Sequence, residues 1–395
     1  MNILFLCDEY PPCQHGGIGT VTQLLAHTLV AKGHKVFVAG FYPYYRKAET
    51  TETDQGVTVF RFFYGSKFLL QFSKRNFTGK FINIEKEFTE YVNFLKILIK
   101  DYQIEIIECP DFVEAFRYSG PRIIQFPFLG IPMIVKLHGT YSYFRNLENN
   151  KSNCTTLYKK EKLHLDKSDG IIALSKFVES ETMSIFNYSK PVKVIYNGIS
   201  SSFSMTYKLY HHSNIVVFAG TLSERKGIFS LIKAWEIVIK ELPSAHLLVY
   251  GNGGKKTINK IKNLIMKMPA NAIELKGFVL KEDLPSIYSN TSCSVFPSYA
   301  ESFSMAPMEA MAVGCPVIFT KRTSGPELIT NGYDGLLVDP DNIQEIADAV
   351  LFMLNNRERA IEMGQNGYKR VKGSFDISII ADNHIEHYEH IIKVV

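Results

Sequence analysis

Two glutamates eight positions apart, Glu301 and Glu309, stand in the stretch from Ser298 to Pro316. The apolar run Cys293–Phe296 before them reads as a buried strand closed by Pro297. Pro307 suits the first turn of a helix carrying Met308, Ala310, Met311 and Ala312, and Gly314-Cys315-Pro316 ends that helix. Glu301 therefore falls on the loop after a strand, and Glu309 near the start of the helix that the loop leads into. In an open α/β sheet the crevice at the carboxyl ends of the strands is where ligands bind. Carboxylates accept hydrogen bonds from sugar hydroxyls, and free N–H groups at a helix start take phosphate oxygens, so the pair suits a polyhydroxylated, anionic ligand. Each glutamate alone has a plainer explanation, Glu309 as a complement to the helix dipole and Glu301 as a solvated charge. The pair in this setting favours a ligand.

Three further stretches carry residue types fit for the same chemistry. The loop Gly220 to Gly227 places Arg225 and Lys226 just before a helix (Phe229, Leu231, Ile232, Trp235, Ile239), where their charges add to the helix dipole to hold a diphosphate. Near the start of the chain, Gly16-Gly17-Ile18-Gly19-Thr20 separates a buried strand, Asn2–Cys7, from a helix over Thr20–Lys32. Glycine there allows positive φ and close approach of a ligand to backbone N–H groups. It is not the dinucleotide fingerprint, because the third glycine position is Thr22 and the strand Lys35–Ala39 ends without an acid for ribose. Finally, the strand Met133–Leu137 ends in His138-Gly139-Thr140, a polar residue well placed in a crevice. Alone, the glycine loop is as good a turn and helix cap, and the histidine as good a structural residue.

These stretches together resemble the retaining glycosyltransferases of family 4 with the GT-B fold. Glu301 and Glu309 match that family's Glu-x7-Glu signature, and Lys226-Gly227 its Lys-Gly motif. The resemblance covers most of the chain in order, through the Gly-rich loop, His138, Asn197-Gly198, Lys226-Gly227 and Glu301…Glu309. It implies a fold of class α/β, two doubly wound Rossmann-like domains facing a cleft, and transfer of a sugar from a nucleotide-diphosphate sugar to a hydroxyl acceptor. It implies that Glu309 holds ribose hydroxyls and that Glu301, Ser302, Phe303, Ser304, Met305 and His138 surround the sugar. Arg225 and Lys226 would hold the diphosphate, with Gly16, Gly17 and Gly19 near it, and Phe278 and Val279 would meet the base. The family's first phosphate-binding Arg is Thr221 here, so Arg225 is the candidate replacement. Catalytic roles fall to Glu301, His138 and Lys226. Retention without a clear side-chain nucleophile implies front-face attack assisted by the departing phosphate. Two alternatives stay open: a nucleotide-sugar epimerase of similar fold, and a non-catalytic nucleotide-sugar-binding protein.

The surrounding elements agree with that architecture. A chain of 395 residues suggests two domains. Apolar runs at Val57–Phe62, Ile104–Glu108, Gly170–Leu174, Asn214–Ala219, His246–Tyr250, Ile273–Leu275, Pro316–Phe319 and Gly335–Val338 read as strands, with helical spacing at Ile84–Asp101 and Ile343–Leu354. The expected division is 1–200 for the acceptor side, 201–375 for the donor side, and a helix over 376–395 that crosses back to the first domain. Ser200–Ser213, polar and without clear period, is the expected linker. Ser175 is a helix N-cap by its position.

Composition excludes several classes. Apolar residues at 46% and charged residues at 21% are ordinary for a soluble globular protein, and a net charge of +5 implies no nucleic acid. The opening Met1 to Glu9 reads as a first strand and not a signal peptide, and Gln125, Pro127 and Pro132 break the longest apolar run, so nothing is expected to span a membrane. Six cysteines without C-x-x-C spacing read as reduced packing residues in a cytoplasmic protein. Asp339-Pro340-Asp341 imitates a metal motif but reads as a turn and N-cap, and no obligatory metal or other cofactor is expected. Gly251 to Thr257 imitates a phosphate-binding loop but lacks glycine at Leu248 and reads as a turn. The segment 62–81 is basic and aromatic (Lys67, Lys74, Arg75 and Lys80 among Phe63, Tyr64, Phe68 and Phe77). Such a segment can settle on anionic headgroups, which would suit a lipid-linked acceptor at the inner face of the membrane, although a partly buried helix with a solvated basic face explains it better.

Overall fold

The computed structural model describes the whole chain except residues 13–15, 44–49, 66–83, 114, 117–118, 120, 149–154, 201–202 and 205–213. The chain divides into two compact units, one of Met1–Gly198 with Ile377–Val395 and the other of Ile199–Asp376. Most of the expected linker, and residues 66–81 of the basic aromatic segment, lie outside the described residues.

The first unit holds β1 (Asn2–Leu6), β2 (Lys35–Pro43), β3 (Thr51–Asp54), β4 (Val57–Tyr64), β5 (Ile106–Pro110), β6 (Met133–Leu137), β7 (Gly170–Ala173) and β8 (Lys193–Val194) in the order β3-β4-β2-β1-β5-β6-β7-β8. Every neighbouring pair is parallel except β3 on β4. The second unit holds β9 (Ile215–Ala219), β10 (His246–Tyr250), β11 (Ile273–Gly277), β12 (Cys293–Phe296), β13 (Val317–Thr320) and β14 (Leu336–Val338) in the order β11-β10-β9-β12-β13-β14, all parallel. Numbered within the unit this is 3-2-1-4-5-6, the doubly wound order whose direction reverses between its first and fourth strands. Both units are α/β and Rossmann-like.

The strands form where they do because their residues are apolar on both faces. Ile215–Ala219 and Cys293–Phe296 are buried almost throughout, as parallel strands covered by helices must be. In the second unit the helix Ile228–Glu241 lays Leu231, Ile232, Trp235 and Val238 on this sheet. Trp235, the one tryptophan, is fully buried and its indole N–H donates to the carbonyl of Ala272 at 2.8 Å, which satisfies its polar atom. The last helix, Ile377–Val394, packs Ile380, Ala381, Tyr388 and Ile391 into the core of the first unit.

Two local expectations need correction. The helix expected from Thr20 starts at Gly17, with Gly16 as N-cap at φ −108°, so the glycine cluster is the first turn of the helix and not a loop of positive φ. What glycine supplies there is bareness: a Cβ on Gly17 would meet nothing within 4 Å. The Asp339-Pro340-Asp341 turn precedes a helix over Ile343–Asn355 whose N-cap is Asn342, its side chain accepting from the amide of Glu345. Asp339 and Asp341 are held instead by Arg322, each at 2.6 Å.

Candidate active site

In the second unit the loops after β9, β10, β11 and β12 gather at the carboxyl ends of the strands, two of them at the reversal between β9 and β12. Backbone contacts lock them together. Leu222 donates to the Asn252 carbonyl at 2.8 Å, and Gly251 to the Gly277 carbonyl at 2.7 Å. Gly251 has φ +136°, and a Cβ there would lie 1.8 Å from the Gly220 carbonyl oxygen. Across the reversal, the amide of Tyr299 donates to the Arg225 carbonyl at 2.7 Å. Gly227 has φ +73°, and a Cβ there would lie 1.8 Å from the Pro297 carbonyl oxygen. Only glycine permits that approach, and the approach sets Lys226 against the loop that follows Pro297.

That contact makes the central ion pair. The Lys226 ammonium donates to both carboxylate oxygens of Glu301, at 2.6 and 2.8 Å. The Glu301 side chain is 9% exposed and that of Lys226 22%. Tyr299 braces the same loop from behind. Its hydroxyl lies 3.0 Å from Ser230 Oγ and donates to Asp341 Oδ1 at 2.9 Å, and the Arg322 guanidinium lies over its ring at 5.4 Å.

Glu309 sits on the helix Met305–Met311, whose N-cap is Ser304. Burial raises its carboxyl above the usual carboxylate range, opposed by Lys281 at 3.8 Å. Lys281 was not singled out in the sequence: it lies on a short 3-10 turn after β11 and reads as an ordinary surface lysine. Ser302 and Ser304 are nearly buried, and the ring of Phe303 packs on Phe375 at 5.4 Å, turned to the core. Phe278, by contrast, is 69% exposed at the end of β11, beside Val279. The second unit thus sets Lys226 against Glu301, with Arg225 beside the one and Ser302 to Met305 and then Glu309 following the other. Thr221 is exposed on the same loop, and Arg225 is half-buried.

The first unit carries the remaining candidates at the same ends of its own strands. Gly16, Gly17 and Gly19 open the helix after β1, and the amide of Gly16 donates to Glu9 at 2.7 Å. His138 follows β6, and its backbone is gripped by Asp111 from the end of β5. Asp111 accepts from the amides of His138 at 2.9 Å and Gly139 at 3.0 Å. Burial pushes the Asp111 carboxyl up to about 7, against the pull of those two amides. Burial, and next the nearby Lys136, hold the His138 imidazole well below its ordinary value and therefore neutral. Asp111 was not singled out in the sequence, where it stands alone after the run Ile104–Glu108 with no motif around it. Ser175 is the N-cap expected, accepting from the amide of Val178 at 3.1 Å.

Among the described residues no group of three or more His, Cys, Asp or Glu is gathered as a metal would require. The described cysteines Cys7, Cys109, Cys293 and Cys315 are buried and unpaired. No described helix is long and apolar enough to cross a membrane.

The model of glycosyl transferases group 1 matches residues 204–370, and that of glycosyltransferase family 4 matches residues 15–203. Among curated proteins, the chain is 31% identical over 241 residues to the uncharacterized glycosyltransferase MJ1178 of Methanocaldococcus jannaschii, a match spanning 60% of this chain and 63% of that protein. It is 26% identical over 390 residues to MJ1607 of the same organism, covering 91% of this chain and 93% of that one. It is 26% identical to the capsular polysaccharide biosynthesis glycosyltransferase CapM of Staphylococcus aureus, over 60% of this chain and 66% of CapM. Among solved structures, Alr3699/HepE of Anabaena, in complex with UDP and glucose, superposes with a TM-score of 0.74 at 18% identity, over 98% of this chain and 99% of that one. The two family models and these three curated relatives are glycosyltransferases by name, which disfavours the epimerase alternative. Residues 15–370 are spanned without a break by glycosyltransferase models, and the chain belongs to the glycosyltransferases of GT-B type.

Proposed function

We propose that the protein moves a sugar from a nucleoside-diphosphate sugar to a hydroxyl acceptor, with retention at the anomeric carbon and without an obligatory metal. The observation that carries this is the Lys226–Glu301 ion pair at the strand reversal of the second unit, with the buried Glu309 on the helix that the Glu301 loop leads into. A nucleoside diphosphate leaves with developing negative charge, and stabilising it is the main task of the site. Lys226, with Arg225, supplies that charge, and the bare helix start at Gly16, Gly17 and Gly19 adds N–H groups. Glu309 takes the ribose hydroxyls, its burial making it a sharper acceptor once paired. The exposed ring of Phe278, with Val279, meets the base. Glu301, Ser302, the backbone of Phe303, Ser304, Met305 and His138 surround the sugar. His138 is held neutral by burial, so it offers the sugar a hydrogen bond as donor or acceptor.

With no side chain singled out as a nucleophile, the acceptor hydroxyl would attack on the face the phosphate is leaving, its proton passing to that phosphate. The first unit would take the acceptor. CapM's role makes a surface polysaccharide or a glycolipid the acceptor class to try first, and a lipid-linked one would give 62–81 a reason to be basic and aromatic.

A thermal-shift panel of UDP, GDP, ADP and their sugars, with and without EDTA, tests the reading, because a ligand that binds the folded state raises the Tm by mass action. UDP leads the panel because HepE was solved with it. One nucleotide should raise the Tm regardless of EDTA, and the shift should vanish in Glu309→Ala and Lys226→Ala. A protein silent to every nucleotide, with acceptor present as well, would sink the proposal.

A further inference from the structure

The first unit also has a cavity of about 580 Å³ at the amino ends of β7 and the edge strand β8, a size ordinary for small-molecule sites. It is lined by the amino ends of β7 and β8, the stretch before β8, and one face of the last helix. His138 and the glycine turn follow the carboxyl ends of their strands, so within this unit the cavity lies at the other end of the sheet from them. Gly170 is what lets the helix in so closely: a Cβ there would meet the Ile391 side chain at 3.1 Å.

The lining mixes apolar and polar atoms, with Lys190 and Lys193 as its lysines. Lys193 starts β8, and Lys190 precedes it with its ammonium on the Asp166 carbonyl at 3.0 Å. His387 and His390 project from the last helix one turn apart. The Nε2 atom of His387 is buried and has no hydrogen-bond partner. A buried polar atom left unsatisfied is costly, and such atoms are few in folded proteins. Of the two carboxylates in the lining, Asp169 is taken up by the amide of Met133 at 2.8 Å, and Glu386 is exposed. Burial first, and then the charge of Lys193, hold the His387 imidazole down at about 4.

We propose that this cavity binds a small soluble molecule through a phosphate monoester group, held by Lys193, His390 and the unpartnered Nε2 of His387. A phosphate has the acceptors to satisfy that nitrogen and the charge to match Lys193. The rest of the cavity leaves room for the body of the molecule against Tyr188 and Ile391.

The test follows the histidine ring signals of the full-length protein by NMR, assigned with His387→Gln and His390→Gln, while inorganic phosphate and then glycerol phosphate are added. Both probes should move the His387 and His390 signals, glycerol phosphate at the lower concentration, and leave His138 unmoved. Lys193→Ala, an exposed site whose loss leaves the core intact, should weaken the response about tenfold, as the loss of one charged hydrogen bond would. Equal responses to sodium chloride at matched ionic strength, no movement of the two signals, or an unchanged Lys193→Ala protein would overturn the proposal. A response only to vesicles of anionic lipid would also overturn it, since the site would then read headgroups. Because His138 reports on the other site, failure here is distinguishable from failure of the transferase reading.

Discussion

The Lys226–Glu301 pair makes an unusual demand on a substitution. In the protein without ligand, the ammonium proposed to hold the diphosphate donates instead to both oxygens of Glu301, at 2.6 and 2.8 Å. A diphosphate must therefore compete with Glu301 for Lys226. Glu301→Gln keeps the shape and removes the competing charge. A hydrogen bond to a charged group contributes about 1.5–3 kcal/mol. With Lys226 22% exposed the lower end applies, and about 1.5 kcal/mol is about tenfold in affinity. Titration calorimetry should show UDP, or whichever nucleoside diphosphate the panel selects, binding Glu301→Gln about tenfold more tightly than the unsubstituted protein. Sugar transfer by the same protein should fall by a factor of about 10²–10³, the usual loss when one preorganised group at the reacting centre is removed. The protein without ligand should melt about 2–6 °C lower, because Lys226 loses its partner. Tighter nucleotide binding with lost turnover separates this account from a general loss of the site. Unchanged or weaker UDP binding by Glu301→Gln would refute it. Lys226→Met and the double variant complete a cycle, whose coupling should vanish when UDP is bound.

Other outcomes follow from single contacts. Gly227→Ala puts a Cβ at 1.8 Å from the Pro297 carbonyl and at positive φ, so it should cost more than about 2 kcal/mol in chemical denaturation and abolish transfer by displacing Lys226. Gly17→Ala meets open space on a helical residue and should leave the Tm level or higher, while weakening nucleotide binding if phosphate lies against that turn. Lys136→Met leaves Glu108 buried without its ammonium at 3.4 Å and should destabilise by about 3–5 kcal/mol, whereas Tyr388→Phe removes one hydrogen bond to the same carboxylate and should lose about 1–3 kcal/mol. Burial holds His164 at about 4, and lowers His138 and His384 as well, so the unfolded chain binds these protons first as the pH falls below about 6.5. Stability should therefore drop from pH 6.5 to pH 5, by about 2 kcal/mol from His164 alone. Asp111 works the other way: its carboxyl, raised to about 7, keeps its proton in the fold, and its contribution fades as the pH rises from about 4 to 7. Urea melts across that range measure the sum, and replacing His164 by Gln should flatten the acid side.

The sheets were legible because parallel strands covered on both faces must be apolar throughout, and Ile215–Ala219 and Cys293–Phe296 have no polar face to confuse with anything else. β3 was not, for the same reason reversed. Thr51–Asp54 is a polar antiparallel edge, held by partners distant in sequence: Glu52 by Arg61 at 2.7 Å, and Asp54 by Tyr10, Gln23 and His27. The helix Lys255–Ile265 was hidden behind its glycines, which read as a turn and are in fact the turn that precedes it. In the site, spacing and resemblance picked out Glu301 and Glu309 as a pair and Lys226 separately. That Lys226 and Glu301 touch could not be read locally, since it depends on β9 and β12 being sheet neighbours although two strands intervene in sequence. The last helix makes the same point in the core of the first unit. Its apolar stripe was plain, yet His384 and Tyr388 sit in that stripe as polar residues and would count against it. They belong there because Tyr388 donates to Glu108 and His384 lies 3.1 Å from Lys136, on strands β5 and β6. A polar residue in an apolar stripe is thus a statement about a partner elsewhere in the chain, and the sequence states the need without naming the partner.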